Sequence, residues 1–295
     1  MSSQLLPESQ PIVVGGVPEH FNLPWHLAIE SDEFSAKGIE LQFNEVPGGT
    51  GAMMKKLEAQ ELDVAIVLAE GGIAAILKGN PSRAVKTYVQ SPLIWGIHVS
   101  AKHELQSIGQ IRDQRYAISR FGSGSHLMAI VDAAERGWDP DEMKFERVGN
   151  LDGARQALAS GTAESFFWEK FTTAPFVQSG EFRRIGERRT LWPAFIICVR
   201  NDVLESQSKK IKSILSIINQ RCENLMANEN ACQIISDRYK LRLPDVERWF
   251  EQTTWNTGFD KPATALDNIK AYLLKLDLVS QEQADSVVPW KSLDD

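Results

Sequence analysis

Cysteine is scarce in this 295-residue chain: Cys198, Cys222 and Cys232 are its only three. No two of them have the close spacing of a zinc knuckle or a thiol redox motif. They are read as inert, buried thiols, because free cysteine packs as a small hydrophobe. Long apolar runs are also missing. None approaches the roughly 20 residues that a membrane-spanning helix needs, so no membrane insertion is expected. Positive charge is in short supply as well: the net charge is -7. With no basic stripe, neither a nucleic-acid backbone nor an anionic membrane is expected as a partner. The polar stretch Met1–Gln10 has no basic segment followed by an apolar one. A cytoplasmic location is therefore expected, with a periplasmic or extracellular one only if a leader has been removed.

Catalytic signatures are equally thin. The five histidines, His20, His26, His98, His103 and His126, fall into no metal-binding or nucleophile-activating spacing. There is no His-Glu-x-x-His run. Gly122-Ser123-Gly124-Ser125 is not a nucleophile elbow, because a glycine follows Ser123 directly. No metal and no cofactor is expected, and the chain reads more readily as a binder than as an enzyme.

A hydrophobic share of 43% and a charged share of 24% are ordinary for globular proteins and exclude disorder or a fibrous repeat. The length suffices for two α/β lobes or one large domain. Short β-branched runs alternate with helical patterns, which predicts parallel sheets covered by helices. Strands are expected at residues 12–16, 39–46, 64–68, 85–89, 95–99, 115–119, 144–148, 165–168 and 194–199. After Ser123, residues Leu127, Ile130, Val131 and Ala134 recur at helical spacing, with Gly137 and Pro140 as the stop. Ile211, Ile214, Leu215, Ile218, Cys222 and Leu225 mark a long amphipathic helix. No strand is expected after about residue 200.

The chain also echoes itself. Leu57-Glu58-Ala59-Gln60-Glu61-Leu62-Asp63-Val64-Ala65-Ile66 is shadowed by Leu158-Ala159-Ser160-Gly161-Thr162-Ala163-Glu164-Ser165-Phe166-Phe167. Each is a helix end, a tight turn, an acid and a strand. Each is preceded by a glycine-containing loop that opens a helix: Pro47-Gly48-Gly49-Thr50-Gly51 in the first half, Phe121-Gly122-Ser123-Gly124-Ser125 in the second. Two similar lobes are inferred, against the alternative that any two helix-to-strand turns look this alike.

These motifs, together with Met53 to Leu57, Arg120 to His126 and the Trp168-Glu169 pair, resemble the type II periplasmic-binding-protein superfamily, in its nitrate, sulfonate, taurine and thiamine-precursor branch. The resemblance spans roughly residues 12 to 290. It implies two lobes, each a mostly parallel sheet flanked by helices, with a ligand cleft between them. Lobe one would take residues 11–92 and 194–290, lobe two residues 93–193, with crossovers near residues 90–96 and 189–195. The fungal synthases of the thiamine pyrimidine are similar too, but their Cys-Cys-Cys-Phe-Cys motif has no counterpart here. An enzyme of that pathway stays an alternative to a solute binder, as does a ligand sensor acting through a protein partner.

Ligands of open parallel sheets sit outside the carboxyl ends of the strands, and four clusters fall there. In Gly15 to Asn22, either Asn22 caps the helix that Pro24 opens, or Phe21 and Asn22 face the ligand. Gly49 and Thr50 belong to a loop whose amides and helix N-terminus suit a carboxylate, sulfonate or phosphate oxygen. Ser119, Gly122, Ser123, Ser125 and His126 form a second such loop, as ligand donors or helix caps. Glu70 and Glu169 end strands, where an unpaired carboxylate is costly and an amine or aminopyrimidine would suit it. Trp168 and Trp25 are candidate flat walls for the ligand.

Overall fold

Aliphatic runs and amphipathic helices combine into a mixed α/β fold in the computed structural model, which describes residues 10–293. All but the last residue of the polar N-terminal stretch lies outside them. The described strands are β1 (Ile12–Gly16), β2 (Leu41–Glu45), β3 (Val64–Leu68), β4 (Ser82–Ser100), β5 (Arg115–Ile118), β6 (Lys144–Arg147), β7 (Ser165–Glu169) and β8 (Phe182–Arg200). The helices are α1 (Leu23–Glu30), α2 (Gly49–Glu58), α3 (Ala69–Leu77), α4 (Gly124–Glu135), α5 (Leu151–Ser160), α6 (Ala174–Gln178), α7 (Asn201–Met226), α8 (Ala231–Tyr239), α9 (Leu243–Phe250), α10 (Ala263–Lys275) and α11 (Gln281–Ser286). Hydrogen-bonded strand order is β2-β1-β3-β8-β4-β7-β5-β6. No helix among the described residues is long and apolar enough to cross a membrane.

Two compact units emerge. One takes the chain up to Ser91, Trp192–Lys240 and the residues from Phe250 on; the other takes Pro92–Leu191 and Leu241–Trp249. In the first unit β1 pairs in parallel with β2 and β3, and β3 pairs antiparallel with β8, Val64 opposite Val199. Val64 to Val67 are all buried, as a strand covered on both faces requires. The stripe of α7 from Ile211 to Leu225 is buried as its spacing predicts. Two later residues bridge β4 singly, Trp255 opposite Val89 and Trp290 beside Ala84. A one-residue bridge leaves no apolar run, so the sequence pattern shows nothing there. Lys86 on β4 is fully buried and donates to the carbonyls of Asn256 (2.8 Å) and Gly258 (2.6 Å).

In the second unit β4 pairs antiparallel with β7, and β5 lies in parallel between β7 and β6. Its core gathers Phe166, Phe182, Ala117, Ala154 and Leu158, with Trp168 and Phe176 against it. The side chains of Gln178 and Asp245 pair within this unit.

Two strands depart from the expected lengths. Residues 85–89 and 95–99 were expected as separate strands but form one continuous β4, because Pro92 breaks the apolar pattern without ending the extended backbone. β8 begins at Phe182, well before the expected 194. Its first part, with Arg183, Arg184, Glu187 and Arg188, lacks apolar alternation and is held by polar bonds instead. Arg183 donates to the carbonyls of Ala101, His103 and Leu105. Arg188 binds the buried Asp132 of α4 at 2.6 Å, and Glu187 pairs with Lys170 at 2.9 Å.

The internal echo has a physical basis. Gln60 and Gly161, aligned in the two segments, both turn the chain through the left-handed region, at φ of 61° and 72°. The aligned acids do the same job. Asp63 accepts from the Val13 amide at 2.8 Å, and Glu164 from the Arg115 amide, also at 2.8 Å. Each acid thus fixes the first residues of a neighbouring strand, β1 in one unit and β5 in the other. The strands that follow, β3 and β7, pair in parallel with those same partners. Gly161→Ala is expected to destabilise the protein by about 1 kcal/mol, since a Cβ is penalised in the left-handed region. An unchanged or raised urea midpoint would contradict this account of the turn.

Candidate functional site

In the first unit the carboxyl end of β3 meets the N-termini of α2 and α3. The Leu68 amide, left over where the strand ends, donates to Thr50 Oγ1 at 3.0 Å. Gly49 begins α2 at φ 66°, a backbone that favours glycine. A Cβ on Gly71 would lie 2.7 Å from Thr50 Cγ2, so α3 approaches α2 closely only because residue 71 is glycine. Between these contacts sits Glu70, in the first turn of α3 and 1% exposed. Its Oε2 accepts from the Trp192 indole at 2.8 Å, and Oε1 has no hydrogen-bond partner among the described residues. Burial pushes this carboxyl up to about 7, against the smaller opposing pull of its own backbone N–H and the indole.

Phe21 and Asn22 are interior. The Phe21 ring lies 5.0 Å from that of Phe195, and its carbonyl accepts from Tyr88 Oη (2.8 Å) and Trp255 Nε1 (3.0 Å). Asn22 does not cap α1. Its backbone is not extended, and its Nδ2 instead donates to the Val17 carbonyl at 2.7 Å. Trp25 is fully buried against Phe34 and Phe43, a core residue instead of a wall.

In the second unit the loop after β5 forms a hydroxyl cluster at the N-terminus of α4. Ser125 Oγ accepts from the Ser119 amide at 3.0 Å and lies 3.0 Å from Ser123 Oγ. Ser123 caps the helix, its Oγ accepting from the His126 amide at 3.4 Å. The Gly122 amide donates to His126 Nδ1 at 3.1 Å. That bond makes Nδ1 an acceptor, so the imidazole is neutral with its proton on Nε2, in keeping with the burial that lowers its pKa. Phe145 and the 60% exposed Phe121 pack edge-on against this ring. Ser119, Gly122, Ser123, Ser125 and His126 are thus brought together in one unit, and Gly49, Thr50 and Glu70 in the other.

A family model described as Ca3427-like PBP matches residues 95–188, a span that holds the serine loop, Trp168 and Glu169. Among solved structures, the Candida albicans CA3427 gene product, described as having the generic periplasmic-binding-protein fold, is 25% identical, with a TM-score of 0.88 over 96% of each chain. The alkanesulfonate-binding protein SsuA of Xanthomonas axonopodis pv. citri, bound to MOPS, is 14% identical, with a TM-score of 0.79 over 96% of this chain and 98% of its own. PhnD1 of Prochlorococcus marinus, in complex with methylphosphonate, is 14% identical, with a TM-score of 0.63 over 91% of this chain and 98% of its own. The chain has the type II periplasmic-binding-protein fold. No curated protein matches the sequence.

Within this fold, Trp168 and Glu169 part company. Successive side chains of a strand point to opposite faces. Trp168 stacks on Phe166 at 5.2 Å and packs on the core. Glu169, 4% exposed, turns its Oε2 back to accept the amides of Phe171 (2.9 Å) and Thr172 (2.6 Å). Burial raises its pKa, and those amides oppose the rise. Its carboxylate is therefore a turn-forming acceptor already in use. Trp192 was missed by sequence reasoning. The available signal was a Trp beside Pro193 at an expected crossover, since a buried indole N–H needs an acceptor. No three His, Cys, Asp or Glu side chains gather as a metal site among the described residues.

The raised carboxyl gives a pH signature. Its neutral form is favoured by folding, so its contribution is complete below the unfolded value near 4.5 and is lost as pH rises through about 7. Burial holds His20 and His98 down at about 3. Their contribution runs the other way, falling as pH drops below about 6.5. Comparison with a variant isolates Glu70. Glu70→Gln should gain stability over the wild type between pH 5 and 8, by roughly 2 kcal/mol. A stability difference that stays flat across that range in chemical denaturation would contradict the buried, neutral acid.

Proposed function

We propose that the chain is a solute-binding protein for a small oxyanionic molecule, a sulfonate, phosphonate or carboxylate, and that it acts by binding and not by covalent chemistry. The serine loop of the second unit is proposed to supply donors to such a ligand, and so, taken by itself, is the Thr50 loop of the first. The observation that carries the reading is the cluster of hydroxyls and amides at the N-terminus of α4. Each hydroxyl can accept and donate at once, and a helix N-terminus favours negative charge. The engagement of Glu169 Oε2 with two backbone amides supports it too, because an oxygen so held is less open to an amine. The fold it shares with SsuA, an alkanesulfonate-binding protein, and with PhnD1 bound to methylphosphonate points the same way.

A second reading is favoured by one observation. The partnerless oxygen of Glu70 could accept from an amino group of a heterocycle such as a thiamine precursor.

A thermal-shift and calorimetric panel separates the two. Methanesulfonate, taurine, MOPS and methylphosphonate should raise the melting temperature, as any ligand selective for the native state does. Ser123→Ala should then weaken the best of them by about 1 kcal/mol, the usual worth of a lost hydrogen bond. Stabilisation by an aminopyrimidine alone would favour the heterocycle, and silence across the panel would sink the oxyanion reading.

A further inference from the structure

The buried carboxyl of the first unit is half-used. Trp192 Nε1 holds Glu70 Oε2 at 2.8 Å, while Oε1, equally buried, meets no donor among the described residues. An ionised carboxylate in that position would leave Oε1 without a donor, which is costly in the interior. A neutral acid instead turns the spare oxygen into a hydrogen-bond donor. We propose that Glu70 binds the solute as a neutral carboxylic acid, its Oε1–H donating to a ligand oxygen while the Trp192 indole fixes Oε2. This rests on the oxyanion reading above and names the residue that would select for it.

The surroundings favour the donor role over the acceptor role. The elements packed on α3 include α2, α10 and α11. They carry Lys55, Lys56 and Glu58, Asp267, Lys270 and Lys275, and Glu282 and Asp285 respectively. None of these charges acts on Glu70: the influences on it are burial, its own backbone N–H and the Trp192 indole. Lys270 is paired instead with Asp285 at 3.3 Å. From α10 the ring of Tyr272 lies edge-on to Trp192 at 5.5 Å. Two helix N-termini, of α2 and α3, flank Glu70 and attract an incoming anion. An ionised Glu70 would repel that anion, so the proton on this carboxyl decides whether the subsite accepts it.

The test uses the full-length chain and methanesulfonate, whose charge does not change between pH 5.5 and 8.5. Calorimetric titration across that range should show affinity falling on the order of tenfold or more toward pH 8.5, with proton uptake on binding at the alkaline end. Glu70→Gln, which keeps a donor and has no proton to lose, should bind at every pH about as the wild type does at pH 5.5. Carbon-13 NMR of glutamate carboxyls in the ligand-free protein should show one group, absent from Glu70→Gln, titrating near neutrality. Binding that is flat in pH, or that tightens as pH rises, would overturn the donor role and leave solute binding standing. A Glu70 resonance that titrates in the ordinary carboxylate range would overturn it whatever binds. Failure of methanesulfonate to bind at any pH would defeat it together with the oxyanion reading.

Discussion

Where three of the strands end, backbone N–H groups emerge that are met by a nearby side-chain oxygen. Thr50 takes the Leu68 amide at the end of β3, and Ser125 takes the Ser119 amide just after β5. Glu169 takes the Phe171 and Thr172 amides after β7. At the opposite ends, Asp63 and Glu164 serve Val13 and Arg115. An unpaired buried amide costs about 1–3 kcal/mol, so these acceptors are assigned before any ligand is considered. What they leave over is what a site can use. Glu169 leaves little, whereas hydroxyls accept an amide and still keep a proton to give.

That constraint also explains what could be read in the sequence. Strands β1, β3 and β7 announce themselves because apolar residues fill them, and the repeated helix-turn-acid-strand segment is visible because both copies solve the same amide problem. The first part of β8 hides, since Arg183 and Arg188 stabilise it through carbonyls and Asp132, contacts that composition does not reveal. The glycine and serine loops stand out as residue types suited to close backbone approach. Which of their neighbours faces inward does not. Phe21 and Asn22 follow a glycine pair much as Thr50 does, yet the Phe21 carbonyl is claimed by Tyr88 and Trp255, the latter 234 residues away in sequence. Trp168 and Glu169 read as one pair, and only strand alternation separates them.

The comparisons fit this division of labour. At 14–25% identity the arrangement of strands and helices persists over more than nine-tenths of the chain. Core volume and hydrophobic pattern survive such divergence because many apolar sets fill the same space. Contacts at strand tips are specified by single side chains, and a single substitution can change what they offer. Likeness of fold therefore says more about Phe166 or Ile211 than about Ser123 or Glu70, whose chemistry has to be argued from their own hydrogen bonds.

Counting protons carries the argument one step further. Ser125 Oγ accepts the Ser119 amide and shares a single hydrogen with Ser123 Oγ across 3.0 Å. Ser123 Oγ in turn faces the amides of Arg120 and His126, both at the long distance of 3.4 Å. Ser125 Oγ also donates to Ser119 Oγ at 3.5 Å, so the hydrogens run from Ser123 through Ser125 to Ser119, whose own hydroxyl hydrogen ends the chain, and His126, accepting at Nδ1, carries another on Nε2. The cluster thus ends on hydrogens that it can give, on Ser119 Oγ and His126 Nε2. A ligand that supplied oxygens would complete it, and one that supplied only N–H groups would leave those hydrogens without partners. On the proposed reading, Glu70 in its neutral form has the same character.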